Sequence, residues 1–255
     1  METIRIESAN GVARIRLQRP EVRNALSDVM VAELTQALGS LPAATRVVVL
    51  SGEGPAFCAG ADAQWMKRSK SFTRAENERD AATLATLFRV LDECPLPVIA
   101  RVQGAALGGG SGLVAACDIA VAEEGAQFGF PEVRLGLIPA VISTFVLPRI
   151  GARAARRYFL TGERFSASQA QSLGLVHEVV KADALDSTVD RLVQELLQGG
   201  PRAQGAAKKL IRDITALSRD RAIEETIRAI SEIRVSPEAQ EGLGAFLEKR
   251  KPQWP

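Results

Sequence analysis

Two glycine-bearing loops and one carboxylate carry the residue types that oxyanion chemistry needs. The first loop is Phe57-Cys58-Ala59-Gly60-Ala61-Asp62. The second is Gly104-Ala105-Ala106-Leu107-Gly108-Gly109-Gly110-Ser111-Gly112. Each follows an apolar, β-branched run, and the second opens a short helix. Glycine removes the Cβ that keeps a ligand off the backbone, and it permits positive φ. N–H groups exposed at a helix start attract negative charge. Two such loops on neighbouring strands can aim two N–H groups at one oxygen, as stabilising an enolate or another oxyanion requires. The carboxylate is Glu132, in the apolar stretch Phe128-Gly129-Phe130-Pro131-Glu132-Val133-Arg134-Leu135-Gly136-Leu137-Ile138-Pro139. Burial raises a carboxyl pKa toward general acid/base duty near neutral pH. A surface glutamate paired with Arg134 is the other reading of the same residue.

Rival chemistries fit less well. Gly110-Ser111-Gly112-Leu113-Val114-Ala115 matches G-x-G-x-x-A, the dinucleotide fingerprint. That fold places its glycines directly after a strand, whereas residues 104–107 intervene here, and Glu132 lies well beyond the next strand. Cys58, Cys94 and Cys117 lie far apart, with no CxxC or His-paired spacing, so no metal site is expected. Cys58 reads as a small buried filler. The one histidine, His177, sits in Leu175-Val176-His177-Glu178-Val179-Val180 and reads as structural, since no G-x-S-x-G elbow accompanies it.

Alternating strands and helices must position these loops. Residues 3–7 and 12–17 read as a hairpin about Asn10-Gly11. Ser27 caps a helix over 28–38, and residues 75–92 have helical periodicity. Residues 46–50, 97–102 and 118–122 read as buried strands, and a short helix is expected near 111–117. From about residue 184 the chain reads as four helices, 184–198, 201–217, 219–234 and 237–249, separated by Gly199-Gly200-Pro201 and Ser236-Pro237. Strands and helices that alternate in a β-β-α rhythm predict an α/β layered core. The helical tail suits a small second domain or arms that pack on a neighbouring subunit.

Composition narrows the classes further. A net charge of +2 is too small to suggest a nucleic-acid partner. The start, METIRIESANG, carries charges where a signal peptide is apolar, and no uninterrupted apolar run is long enough to span a membrane. Three sparse cysteines suit a reducing compartment. The expectation is a cytoplasmic protein with neither membrane nor nucleic-acid partners.

The chain resembles the enoyl-CoA hydratase/isomerase (crotonase) family over nearly its whole length. The resemblance runs through Arg19-Pro20, Arg23-Asn24-Ala25-Leu26, the two loops, Cys117-Asp118-Ile119-Ala120, Pro131-Glu132, Leu135-Gly136, Leu160-Thr161-Gly162, Gly174-Leu175-Val176 and the segment from Glu241 to Lys251. It implies a crotonase-like spiral of ββα turns over 1–195. It also implies a helical region over 196–255 that caps the site and builds a homotrimer or a dimer of trimers. The implied substrate is an acyl-CoA; coenzyme A is part of it, so no separate cofactor is expected. By the same resemblance, the N–H groups of Ala61 and Gly109 would hold the thioester oxygen and Glu132 would move a proton. Ala59, Ala61, Asp62, Ala63, Gln64 and Gly108 would line the coenzyme A path. Arg23 and Lys249, in the run Lys249-Arg250-Lys251, look like phosphate partners; a solvated helix end is the other reading of that run.

The chain departs from the family at two places. Typical hydratases of this family have two glutamates facing the water, and here the second position is Gly112. Ser111, its polar neighbour, would be aimed elsewhere by the helix. The family's glycine-rich segment after Ile-Pro has become Ala140-Val141-Ile142-Ser143-Thr144-Phe145. One carboxylate with an oxyanion hole supports hydration, double-bond isomerisation or decarboxylation; a silent CoA-binding protein is the non-enzymatic alternative. Gly112 is expected to vacate space for a branched or carboxylated acyl group. The local pattern resembles a bacterial subgroup described as methylglutaconyl-CoA or isohexenylglutaconyl-CoA hydratases.

Overall fold

The computed structural model describes residues 1–254. Asn10 and Gly11 take φ of 51° and 78°, the two-residue turn whose twist matches a hairpin. They join β1 (Ile4–Ala9) to β2 (Val12–Leu17), with Ile4 opposite Leu17. Helix α1 (Asp28–Gly39) starts where the Ser27 hydroxyl accepts from the Met30 N–H at 3.2 Å. The core continues through β3 (Val47–Gly52), α2 (Ala63–Ser69), α3 (Arg74–Asp92), β4 (Val98–Val102), β5 (Ala105–Leu107) and α4 (Gly109–Ala116). It closes with β6 (Ile119–Glu123), β7 (Gln127–Gly129), α5 (Ala140–Thr161), β8 (Arg164–Ser166), α6 (Ala167–Ser172), β9 (Glu178–Val180) and α7 (Leu185–Gln198).

Two sheets result. The larger has the order β1-β2-β3-β4-β6-β9 and is parallel from β2 onward. The smaller is β5-β7-β8. Consecutive strands alternate between the sheets: β4 then β5, β6 then β7, with a helix after each pair. That is the spiral of ββα turns. Both faces of the large sheet are covered, so β3 is buried along its whole length instead of alternating. Val48, Leu50, Val98 and Ala100 pack with α1, α3 and α4. Val47, Val49, Ile99 and Val121 pack on Leu185, Val189 and Val193 of α7.

The expected division after residue 195 would cut α7, which is sealed under the sheet. The chain changes character at Gly199-Gly200 instead. Beyond it, α8 (Pro201–Thr215) and α9 (Arg219–Arg234) bury no residue completely, and α10 (Pro237–Leu247) packs on both. Buried Glu238 of α10 accepts from the N–H groups of Arg202 and Ala203 at 3.0 and 2.8 Å, capping α8 from outside. Among the described residues no helix is long and apolar enough to cross a membrane.

Candidate active site

The two glycine loops are locked together by backbone. Cys58 donates to the Ala105 carbonyl at 3.0 Å and accepts from Leu107 at 3.0 Å, so the first loop lies as a strand beside β5. Gly110 is there for contact: a Cβ at that position would overlap the Cys58 carbonyl oxygen. On the other side, Leu26 donates to Gly60 at 2.7 Å and accepts from Asp62 at 2.8 Å, bracketing Ala61. Gly108 has φ 51° and ψ −118°, a conformation that L side chains rarely adopt, and it turns β5 into α4.

The N–H groups of Ala61 and Gly109 escape these ladders. Ala61 lies between two paired neighbours, and Gly109 is the first residue of α4. Neither N–H has an acceptor among the described residues. Both residues line one apolar cavity of about 280 Å³, together with Ala59, Gly108 and Glu132.

Glu132 follows β7 in a 3-10 turn over Pro131–Leu135. Its Oε1 sits over Gly108, 3.0 Å from where a Cβ would be. Its Oε2 is buried with no hydrogen-bond partner. Burial therefore pushes the Glu132 carboxyl above the ordinary glutamate value, only partly offset by its own backbone N–H. Pairing with Arg134 is excluded, because Arg134 donates to the Thr161 carbonyl instead.

The remaining expectations divide. Arg23 is exposed, has no ion pair among the described residues, and its carbonyl accepts from Ala59 at 3.0 Å, so it stands at the first loop. The Asp62 carboxylate is committed elsewhere. It accepts from Gln64 and Trp65 at the start of α2 and pairs with Arg19 at 2.9 Å. Burial alone would raise its pKa, but these contacts together hold it below the usual carboxylate range. Its side chain caps α2 and pairs with Arg19. Ala63 and Gln64 are exposed in the first turn of α2, outside the cavity lining. Lys249 is exposed and is not among the lining residues, while Arg250 of the same run is tied to Glu241 and Glu248.

Two further corrections concern the second loop. Residues 105–107 are themselves a strand, so Gly108 does follow one directly; the dinucleotide reading fails instead because Gly110 and Gly112 are packing contacts inside α4. Gly112 is buried and leaves no empty space. A Cβ there would lie 2.5 Å from Ile142 Cγ2 and 3.0 Å from Phe88 Cε1. Ser111 does turn away, donating to the Ala106 carbonyl at 2.6 Å. Cys58 is fully buried and its thiol is pushed up to about 12, so it is inert filler. His177 Nδ1 accepts from the Ala120 N–H at 3.1 Å, a structural role.

The sequence reading missed the residues that brace and line the site. Asn24 is fully buried at φ 55° and donates to the Glu53 and Ala56 carbonyls, both at 2.8 Å, holding the loop that leads to Ala59. Its type next to Arg23 was visible; its left-handed backbone was not. Leu26, Trp65, Val141 and Ile142 form cavity wall, and Leu135, Leu137 and Ile138 form an exposed apolar rim.

The enoyl-CoA hydratase/isomerase family model matches residues 7–255. The chain belongs to that family. It is 34% identical to a putative enoyl-CoA hydratase of Thermus thermophilus, over 95% of this chain and 97% of that protein. A probable enoyl-CoA hydratase of Bacillus subtilis is 34% identical over 100% and 99% of the two chains. The crystal structure of an enoyl-CoA hydratase from Shewanella pealeana superposes with a TM-score of 0.96 at 40% identity, covering 99% of this chain and 96% of that one. The fold is thus the crotonase fold with its helical C-terminal region, and the chain is an enzyme of the enoyl-CoA hydratase type.

Proposed function

We propose that this crotonase-family enzyme adds water across the C2=C3 bond of a 2-enoyl-CoA with an apolar, branched acyl group. One observation carries the reading: a buried, unpartnered carboxylate oxygen shares a cavity with two backbone N–H groups that lack acceptors. Ionised Glu132 takes a proton from water as the water oxygen bonds to C3. The C2=C3 electron pair moves to the thioester oxygen, where the Ala61 and Gly109 N–H groups hold the enolate. Protonated Glu132 then returns a proton to C2, and the thioester carbonyl re-forms. One carboxyl serves both steps because it ends as it began. Among the described residues the lining contains no lysine, arginine or histidine to pair with an acyl carboxylate. That favours the branched apolar class over the carboxylated one. Ala59 and Gly108 would flank the thioester end of coenzyme A, and Arg23 would meet its phosphates.

A second reading has its own observation: among the described residues, Glu132 is the one titratable side chain in the lining. Taking a proton from C2 of a 3-enoyl-CoA and returning it at C4 needs one carboxylate and no water. The enoyl-thioester absorbance separates the two. Hydration removes it from crotonyl-CoA or 3-methylcrotonyl-CoA, as we expect. Stable 2-enoyl signals with a rising signal from 3-hexenoyl-CoA would replace hydration by isomerisation. No change with any of the three would sink both readings.

The same proposal includes assembly as a homotrimer or a dimer of trimers through α8–α10. Ile223, Ile227 and Ile230 are half exposed or more along α9, and Phe246 and Leu247 are 80% and 78% exposed at the end of α10. Such surface is uncommon on a free monomer. Lys249, outside the cavity lining of its own chain, would then serve a neighbouring copy. Light scattering is expected to give three or six chains, with Ile227→Asp plus Phe246→Asp lowering the mass. A monodisperse wild-type monomer would refute the assembly.

A further inference from the structure

The two departures noted in the sequence meet in space. Gly112 lies in α4 and Ile142 in the first turns of α5; only Ile142 lines the cavity. Ile142 is 4% exposed and stands between Gly112 and the cavity. A Cβ at 112 would lie 2.5 Å from its Cγ2 and 3.0 Å from its Cβ. Ile142 cannot yield cheaply: a β-branched side chain on a helix is held in one χ1 rotamer. The same Cβ at 112 would lie 3.0 Å from Cε1 of Phe88, which is fully buried and packs on Phe145 with ring centroids 5.6 Å apart. A side chain at 112 is therefore met on both these sides.

We infer that Ile142 is a specificity-determining residue: it occupies the room that a side chain at 112 would need and, from there, limits how bulky an acyl chain the cavity accepts. The inference rests on the proposed acyl-CoA function for its ligand. Its packing half stands on geometry alone.

Two measurements test it. The first is a thermal-stability cycle on the full-length protein with Gly112→Ala, Ile142→Ala and the double variant. Gly112→Ala should lower Tm sharply in the wild-type background and far less beside Ile142→Ala. Equal losses in both backgrounds would overturn the packing half. The second is calorimetric binding of butyryl-CoA and octanoyl-CoA, which needs no turnover. Ile142→Ala should shift the affinity ratio toward octanoyl-CoA by about tenfold or more, the scale of a missing methylene or two in an apolar pocket. Ile142→Val should shift it less, which guards against a merely loosened fold. A ratio unmoved by either variant overturns the specificity role while leaving the proposed function standing. A wild type that binds neither thioester overturns the proposed function and the specificity role together.

Discussion

Glu132→Gln is expected to lower kcat by about 10² to 10⁴-fold, the range for losing a positioned proton-transfer group. It should leave acyl-CoA affinity nearly unchanged, because Gln is close in shape and the carboxylate's Oε2 has no partner to lose. The pH dependence makes the assignment specific. Burial raises the Glu132 carboxyl above its ordinary 4.5, and the base must be ionised to accept water's proton. Wild-type kcat/KM should therefore fall as pH drops, with the acid limb above 4.5, and the limb should vanish in the variant. Stability moves the opposite way. A carboxyl whose pKa is raised by folding favours the fold while protonated, and that contribution is lost as pH rises through its folded value. Glu132→Gln should thus be more stable than wild type at neutral pH, with the difference disappearing below about 4.5, the unfolded value. Turnover retained in Glu132→Gln would remove the residue from the mechanism.

Gly109→Pro is the second large effect. Proline is well tolerated at the first position of a helix, where the N–H has no intrahelical acceptor. Here that N–H has no acceptor among the described residues and belongs to a residue that lines the cavity. The new Cβ would meet Leu26 Cδ1 at 2.8 Å, the end of a side chain that can swing. The helix should survive while one oxyanion donor disappears. The expected cost is about 3 kcal/mol of transition-state stabilisation, roughly 10² to 10³-fold in kcat/KM. Calorimetry with butyryl-CoA provides the control. Unaltered kcat/KM in a variant that binds butyryl-CoA normally would refute the oxyanion assignment.

Much of this was legible in the residues. Asn10-Gly11, Ser27 and Pro201 announced a hairpin and two helix starts, because each acts through its own backbone or nearest turn. The C-terminal helices were readable from the Gly199-Gly200-Pro201 and Ser236-Pro237 breaks between them. What was hidden depends on distant contact. β5, β7 and β8 are three residues each, too short for alternation to register. α5 carries Pro148 and a kink at Gly151, φ 70°, two breakers inside one helix. Asp62 was expected to line the coenzyme A path; that its carboxylate caps α2 and meets Arg19 from a distant turn shows only in the fold. Gly112 looked like vacancy because a missing side chain in a sequence says nothing about which neighbour fills its place.

In the proposed mechanism the donors that hold the oxygen belong to the main chain, and main-chain groups are not rewritten by most codon changes. At 61 and 109 only a change to proline deletes the N–H itself. The register between the two loops is likewise set by carbonyls and amides. A lineage descended from this chain would therefore inherit its oxyanion site through the fold, while drift at 132 and at the 112–142 pair reassigned the proton and the acyl group. Divergence of reaction and retention of scaffold are, in this arrangement, written in different atoms.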